Sequence, residues 1–524
     1  MTLIHHFLEH SALTSGDAVA LVDGRRRATY RELNALADRI ATLLRTAGVE
    51  RHARVILALD NCLELAAAYF GVLKAGAVAV PLPGGGKSDR LARAILDCSP
   101  SAAIVDGPTA AAAIATHALE SVPVVFVHGR PPAGTAFGEG VRVLQEALAA
   151  VGDAPSTVRA IDRDLAAIIY TSGSTGDPKG VMLTHRNLVA NARSIVSYLE
   201  LTSADRVMCV LPFHYVYGLS LLHTHVSVGG SVVIDTRFVF PNVVLAAMNE
   251  HAVTGFAGVP STFALLLHRS NIDAMQFPSL RYVTQAGGGM PPPRVVEWLA
   301  RGPKVPFYVM YGATEAGARL AYLPPSRLQE KIGSIGVAIP NVELLVVDES
   351  GTAVPAGEVG ELVARGSNIS CGYWNDPVQT SERFSALGYH TGDLGYVDAD
   401  GYLFLVGRRH DMIKVGANRV GAKEIEDVLH EHPAVHEAAV VGAPSDLLGE
   451  VPVAFVALRS NLPDAGRELK AFCASRLPGY KVPARIEFVP ALPKIPGIGK
   501  IDKRALHHSG EASPSAMKVS ADAK

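Results

Sequence analysis

A chain of 524 residues exceeds the usual size of one hydrophobic core, so two or more domains are expected. Hydrophobic residues make up 48% and charged residues 19%, which describes a folded globular protein and excludes a disordered one. A net charge of −2 with dispersed basic residues argues against nucleic acid or an anionic membrane surface as a partner.

The N-terminus, "MTLIHHFLEHSALTSGD", has the spacing of an amphipathic helix and lacks the basic start and apolar block of a signal peptide. The apolar window Leu63–Leu82 contains Glu64 and Lys74 and meets Pro81 near its end, so it reads as a buried helix followed by a strand. No transmembrane segment is expected. Five cysteines (Cys62, Cys98, Cys209, Cys371, Cys473) lie far apart with no CxxC pair, as isolated reduced thiols of a cytoplasmic protein would.

From about residue 28 to 300, β-branched runs alternate with helical patterns. "ARVILAL", "AVAVPL", "AAIVD", "VPVVFV", "AAIIY", "RVMCVLP" and "SVVID" predict strands; "TYRELNALADRIATLLRTAG" and "HRNLVANARSIVSYL" predict helices, the second capped by Thr184. Such alternation implies an α/β fold of mostly parallel sheets covered by helices. After residue 330, short strands and Gly/Pro turns predict a small β-rich subdomain, about 333–408, completing a large N-terminal domain of residues 1–408. Residues 409–510, with a helix at Ala422–Glu431 and strands "HEAAVVG" and "VPVAFVAL", are expected to form a small α+β domain. The polar residues 511–524 read as a disordered tail.

One stretch stands out, Tyr170–His185, "YTSGSTGDPKGVMLTH". Read as strand, Gly/Ser/Thr loop and helix, it suits phosphate: glycines admit backbone N–H groups, hydroxyls add donors and a helix N-terminus adds partial positive charge. Lys179 follows Pro178, so the Walker A pattern is absent, and GxGxxG spacing is absent too.

"YTSGSTGDPKGV" resembles the signature of the adenylate-forming superfamily, which includes acyl- and aryl-CoA synthetases, adenylation domains and firefly-type luciferases. Four further motifs follow in that family's order: "YGATE" (311–315), "YHTGDL" (389–394), "GRRHDMIKVGANRVGAKEIE" (407–426) and "GIGKIDK" (497–503). The resemblance spans roughly residues 10 to 508. It implies that a carboxylate attacks the α-phosphate of MgATP, giving an acyl-adenylate and pyrophosphate. The thiol of CoA, or of a separate carrier protein's phosphopantetheine, then takes the acyl group and releases AMP.

The same resemblance implies roles. Thr171, Ser172, Gly173, Ser174, Thr175, Gly176 and Lys179 would cradle pyrophosphate; Glu315 would ligate Mg²⁺ and Thr314 would reach the α-phosphate. Tyr311, with Gly312 beside it, would stack on adenine, and Gly287, Gly288 and Gly289 would leave room for the ring's other face. Asp393 would accept the ribose hydroxyls, with Arg408 adding a contact from the inter-domain linker. Lys500 would reach from a mobile C-terminal domain to the reacting carboxylate and α-phosphate, and His410 would be the hinge. His410 and Ala417 depart from the residues the family commonly has there, which puts the thioester step in question more than adenylation.

Substrate choice is expected from "LPFHYVYGLS", "FAGVPSTFALLL" and "ATEAGARLAYLPP", with His214, Tyr215, Tyr217 and Gly288 at the pocket. None of the first segment's residues is an aspartate able to pair an amino-acid ammonium, so a neutral fatty or aryl acid is favoured. The HxH pair in "LLHTHVSVGG" lacks a third nearby ligand and is expected to be structural. A luciferase-like oxidoreductase is the alternative from a different class of activity.

Overall fold

The computed structural model of the chain describes residues 1–86, 88–129, 140–152, 158–171, 178–416, 418–445, 447–459, 462–494 and 501–506. The strands expected between residues 28 and 300 form two sheets. One runs in the order Val141–Val143, Val124–His128, Ala102–Asp106, Arg54–Ala58, Val78–Leu82, Leu165–Thr171, Lys179–Thr184. Its neighbours are parallel except the last pair, an antiparallel hairpin.

The second sheet has a parallel centre: Phe307–Tyr311, Tyr282–Gln285, Gly255–Gly258, Arg206–Cys209, Ser231–Ile234 and Val19–Asp23. Beyond Tyr311 it turns antiparallel, through Ala321–Leu323 and Ser334–Ala338 into Leu403–Arg408, Gly388–Val397, Gly360–Gly366 and Val342–Val347. The β-rich segment is therefore joined by hydrogen bonds to the large sheet. A third sheet orders Asn418–Gly421, Met412–Val415, Gly449–Leu458 and Val435–Ser445, with Arg485–Phe488 added on Gly449–Leu458.

Local chemistry explains the helices that frame these sheets. Tyr30–Thr46 begins in a capping box in which the Thr29 hydroxyl accepts from the Glu32 N–H and Glu32 accepts from the Thr29 N–H. Its buried Leu33, Ala37, Ile40 and Leu44 share a face that packs on Leu63–Lys74. The two helices touch so closely that a Cβ at Gly71 would lie 2.7 Å from Ile40 Cγ2. Lys74, the charge inside the apolar window, donates to Asp38 Oδ1 at 2.7 Å and to Asn34 Oδ1 at 2.8 Å. Among the described residues no helix is long and apolar enough to cross a membrane.

The HxH pair is structural, as expected. His223 Nε2 lies 3.0 Å from the Tyr69 hydroxyl, and His225 Nε2 lies 3.1 Å from that of Tyr282. Burial pushes His223 down to about 3 and His225 to about 4, from 6.5. An unfolded chain binds both protons near pH 6.5 while the folded chain refuses them until pH 3–4. Stability from this pair is thus complete above 6.5 and is lost as pH falls below it. Urea unfolding at pH 5 should give a free energy lower than at pH 7 by about 2 kcal/mol per histidine.

Candidate active site

The Gly/Ser/Thr loop leaves one strand and enters another. Thr171 and Lys179 face each other as the last pair of the hairpin Leu165–Thr171/Lys179–Thr184. The sequence reading placed a helix N-terminus at this loop; that helix, His185–Leu199, begins one strand later, capped by Thr184 as expected. Val181, Leu183 and Ile169 are buried on the sheet, which explains why "VMLT" extends instead of coiling. The interior loop positions Ser172, Gly173, Ser174, Thr175 and Gly176 lie outside the described residues, as do Lys500, Ala417 and the side chain of His410.

The free edge of Lys179–Thr184 recruits a distant segment. The Trp374 N–H donates to Gly180 O at 2.7 Å and the Met182 N–H to Gly372 O at 3.0 Å. This pairing brings two side chains that the sequence reading missed, Tyr373 and Gln379, against Lys179. The Lys179 ammonium donates to Gln379 Oε1 and sits 5.5 Å from the Tyr373 ring centroid. The Tyr373 hydroxyl in turn donates to Glu315 Oε1 at 2.7 Å. Burial, and then the Glu315 charge, raise the Tyr373 phenol above its ordinary value, so it stays a proton donor.

Thr314 and Glu315 lie on a single 3-10 turn that ends at Gly317, φ 68°. Two asparagines fix its main chain: Asn191 donates to Ala316 O and Arg319 O at 3.2 and 3.0 Å, and Asn368 donates to the same pair at 3.0 Å each. The Ser370 N–H donates to Glu315 O at 2.7 Å. Replacing Tyr373 with Phe removes the charge-assisted bond that orients the Glu315 carboxylate. For the adenylation that the motif resemblance implies, with Glu315 as the implied Mg²⁺ ligand, we expect about a tenfold fall in kcat/KM and a higher Mg²⁺ requirement, read by Mg²⁺ titration of pyrophosphate–ATP exchange.

A second cluster gathers around Asp393. The Tyr311 hydroxyl donates to Asp393 Oδ2 at 2.5 Å and Arg408 Nε donates to Oδ1 at 3.2 Å. Asp393 and Arg408 meet because they are register partners on neighbouring antiparallel strands, and Tyr311 ends the strand that leads to "YGATE". Burial and the Asp393 charge hold the Tyr311 phenol well above its usual range. Nearby, Gly287 adopts φ +82°, and Gln285 Nε2 donates to Gly288 O at 2.8 Å. Gln285 Oε1 is buried and has no partner among the described residues. Gly289 faces the C-terminal unit: a Cβ there would meet Lys423 Cε at 3.8 Å.

Of the expected acid-binding residues, Tyr217 is buried and its hydroxyl donates to Thr284 O at 3.1 Å, beside Gln285. His214 and Tyr215 have ring centroids 4.4 Å apart with planes tilted at 52°, and the buried Tyr215 hydroxyl lies near the Arg90 guanidinium. Gly288 lies 3.5 Å from Pro260 for an imagined Cβ, at the start of the helix Pro260–Arg269. The sequence reading also missed Arg319, buried against Tyr217.

Comparison with known proteins agrees with this geometry. The family model for AMP-binding enzymes matches residues 8–374, and that for the AMP-binding enzyme C-terminal domain matches residues 424–498. A feruloyl-CoA synthase from an Amycolatopsis species is 34% identical over 493 residues, 94% of this chain and 96% of that protein. The crystal structure of the anthranilate CoA ligase AuaEII with anthranoyl-AMP superposes with a TM-score of 0.88 at 28% identity, covering 97% of each chain. The o-succinylbenzoate CoA synthetase of Bacillus subtilis, with ATP and a magnesium ion, gives a TM-score of 0.82 at 28% identity over 94% of this chain and 98% of that one. With both family models matched in order and a relative 34% identical over 94% of the chain, the chain belongs to the AMP-binding enzyme family, in its acyl-CoA synthetase branch.

Proposed function

We propose that this site performs ATP-dependent, AMP-forming ligation of a carboxylic acid to CoA, with the residues above in the following roles. The observation that carries the assignment is the relay Lys179–Tyr373–Glu315 set within the same site as the Tyr311–Asp393–Arg408 cluster. The first is a cation and a carboxylate aimed at a polyphosphate; the second is an aromatic ring and a carboxylate suited to a nucleoside.

The residues fit ATP. The glycines 287–289 put no side chain against a nucleobase, and Gln285 Oε1, unpartnered among the described residues, is an acceptor matched to the exocyclic amine of adenine. Asp393 would accept the ribose hydroxyls, displacing or sharing its contacts with Tyr311 and Arg408. Thr171 and Lys179 would hold the departing pyrophosphate with Ser172, Gly173, Ser174, Thr175 and Gly176. Mg²⁺, which prefers oxygen ligands, would be held by Glu315 and would supply neutralising charge at the phosphates. Thr314 would position the α-phosphate for in-line attack by the carboxylate.

Residues 409–510 would act as a lid that turns at His410, presenting Lys500 for adenylation and withdrawing it for the thiol. His214, Tyr215, Tyr217 and Gly288 would line the acid's path. The ferulate, anthranilate and o-succinylbenzoate of the similar proteins favour an aryl or acyl acid here as well. CoA is the acceptor of this branch; a separate carrier protein offers the same phosphopantetheine arm and is the second reading, in a cytoplasmic enzyme. Acid-dependent pyrophosphate–ATP exchange across a carboxylic-acid panel, followed by thioester formation with CoA or a carrier, tests the assignment. Silence across the panel refutes it, and oxygen consumption dependent on ATP and an aryl acid would favour a luciferase-like activity.

A further inference from the structure

Arg319 is 3% exposed, yet among the described residues no carboxylate pairs with it. Its guanidinium carbon lies 3.9 Å from the Tyr217 ring centroid, its Nε meets Met310 Sδ at 3.4 Å, and its Nη1 donates to Ala318 O at 3.1 Å. A guanidinium has five N–H donors and a permanent charge; a ring face, a thioether, one carbonyl and the nearby Tyr198 and Tyr217 hydroxyls offer it dipoles but no counter-charge. Among the described residues the other buried Asp, Lys and Arg side chains are paired with an opposite charge. Lys74 has Asp38 at 2.7 Å, and the buried Asp205 has Arg281 at 3.0 Å. Arg319 is the departure.

Its setting is rigid. Asn191 and Asn368 both donate to the Arg319 carbonyl, and the Tyr217 hydroxyl, anchored on Thr284 O, holds the ring under the guanidinium. Its place is telling as well. Arg319 follows Glu315 by four residues, while Tyr217 belongs to the expected acid-lining segment. Arg319 therefore joins the segment expected to line the acid's path to the "YGATE" turn. A fixed, desolvated cation with no carboxylate among the described residues is a preorganised receptor for an anion.

We propose that Arg319 is a specificity-determining residue that receives a second acidic group of the substrate, at the end of the acyl or aryl chain opposite the reacting carboxylate. The inference rests on the ligase assignment above. It gives the acid a charged far end, where the sequence alone favoured a neutral one. A neutral chain of equal length leaves the guanidinium unpaired, so the acidic partner should be preferred by about 10- to 100-fold, the worth of one hydrogen-bonded charge.

The test uses matched acids, such as hexanoate with adipate and 3-phenylpropionate with its para-carboxy derivative, in pyrophosphate–ATP exchange on the full chain. The wild type should favour the diacid member of at least one pair by 10- to 100-fold, mainly through KM. Arg319→Met should erase that preference while exchange with the uncharged member persists, and Arg319→Lys should restore part of it. A purely structural arginine would lower both members together and leave their ratio unchanged, which overturns the proposal. A wild type that favours the uncharged member of every pair also overturns it, with no variant needed, and leaves the ligase assignment standing. Exchange with no acid at all defeats the ligase assignment and this inference with it.

Discussion

Replacing Lys500 with alanine should lower acid-dependent pyrophosphate–ATP exchange by about 10²–10³, corresponding to about 3–4 kcal/mol of transition-state stabilisation. The first half-reaction brings a carboxylate against a polyphosphate, so the rate depends on positive charge placed where the two anions meet. Lys494 and Ile501 pair in an antiparallel bridge. Lys503 pairs with Glu426 at 2.7 Å. The variant should keep its rate of thioester formation from a supplied acyl-adenylate within a few-fold, because that step needs no cation on the α-phosphate of ATP. An undiminished exchange rate would remove Lys500 from the first half-reaction.

Gly312→Ala is the second large effect. A Cβ at this position would lie 1.9 Å from Ala318 O and 2.9 Å from Arg319 Cα, both backbone atoms that no rotamer change can move. The turn 314–319 is pinned from outside by Asn191, Asn368 and Ser370, so it cannot yield without breaking those bonds. The overlap must therefore displace Tyr311 from the carboxylate and main chain it is set against. We expect exchange to fall by at least about 10², with a stability loss of about 1–3 kcal/mol, the usual cost of overpacking. Paired measurements of exchange and urea unfolding separate the two, and near-normal exchange would show that the turn is softer than its hydrogen bonds imply.

Much of the site was legible because its chemistry is written in short contiguous runs. "YGATE", "YHTGDL" and the linker arginine each occupy a few residues, and the structure sets Tyr311, Asp393 and Arg408 in one hydrogen-bonded group. The error at the Gly/Ser/Thr loop had a local cause. "GVMLTH" is too short for periodicity to separate an extended strand from the first turn of the following helix. The residues missed share a different property, distance along the chain. Tyr373 reaches Lys179 only because residues 372–374 pair with the edge of Lys179–Thr184, and Asn368 and Asn191 converge on one turn from far-separated elements.

The sequence by itself determined the α/β alternation, the cap at Thr184, the buried helix and strand of the apolar window Leu63–Leu82 and the order of the five motifs. Each depends on neighbours within a few residues, where spacing and side-chain chemistry act directly. Only the tertiary structure decided that Lys179, Tyr373 and Glu315 form one relay, and that Arg319 is buried with a tyrosine face and no carboxylate. Those facts arise from strand pairing and packing across hundreds of residues, and a linear pattern carries no record of which surfaces will meet.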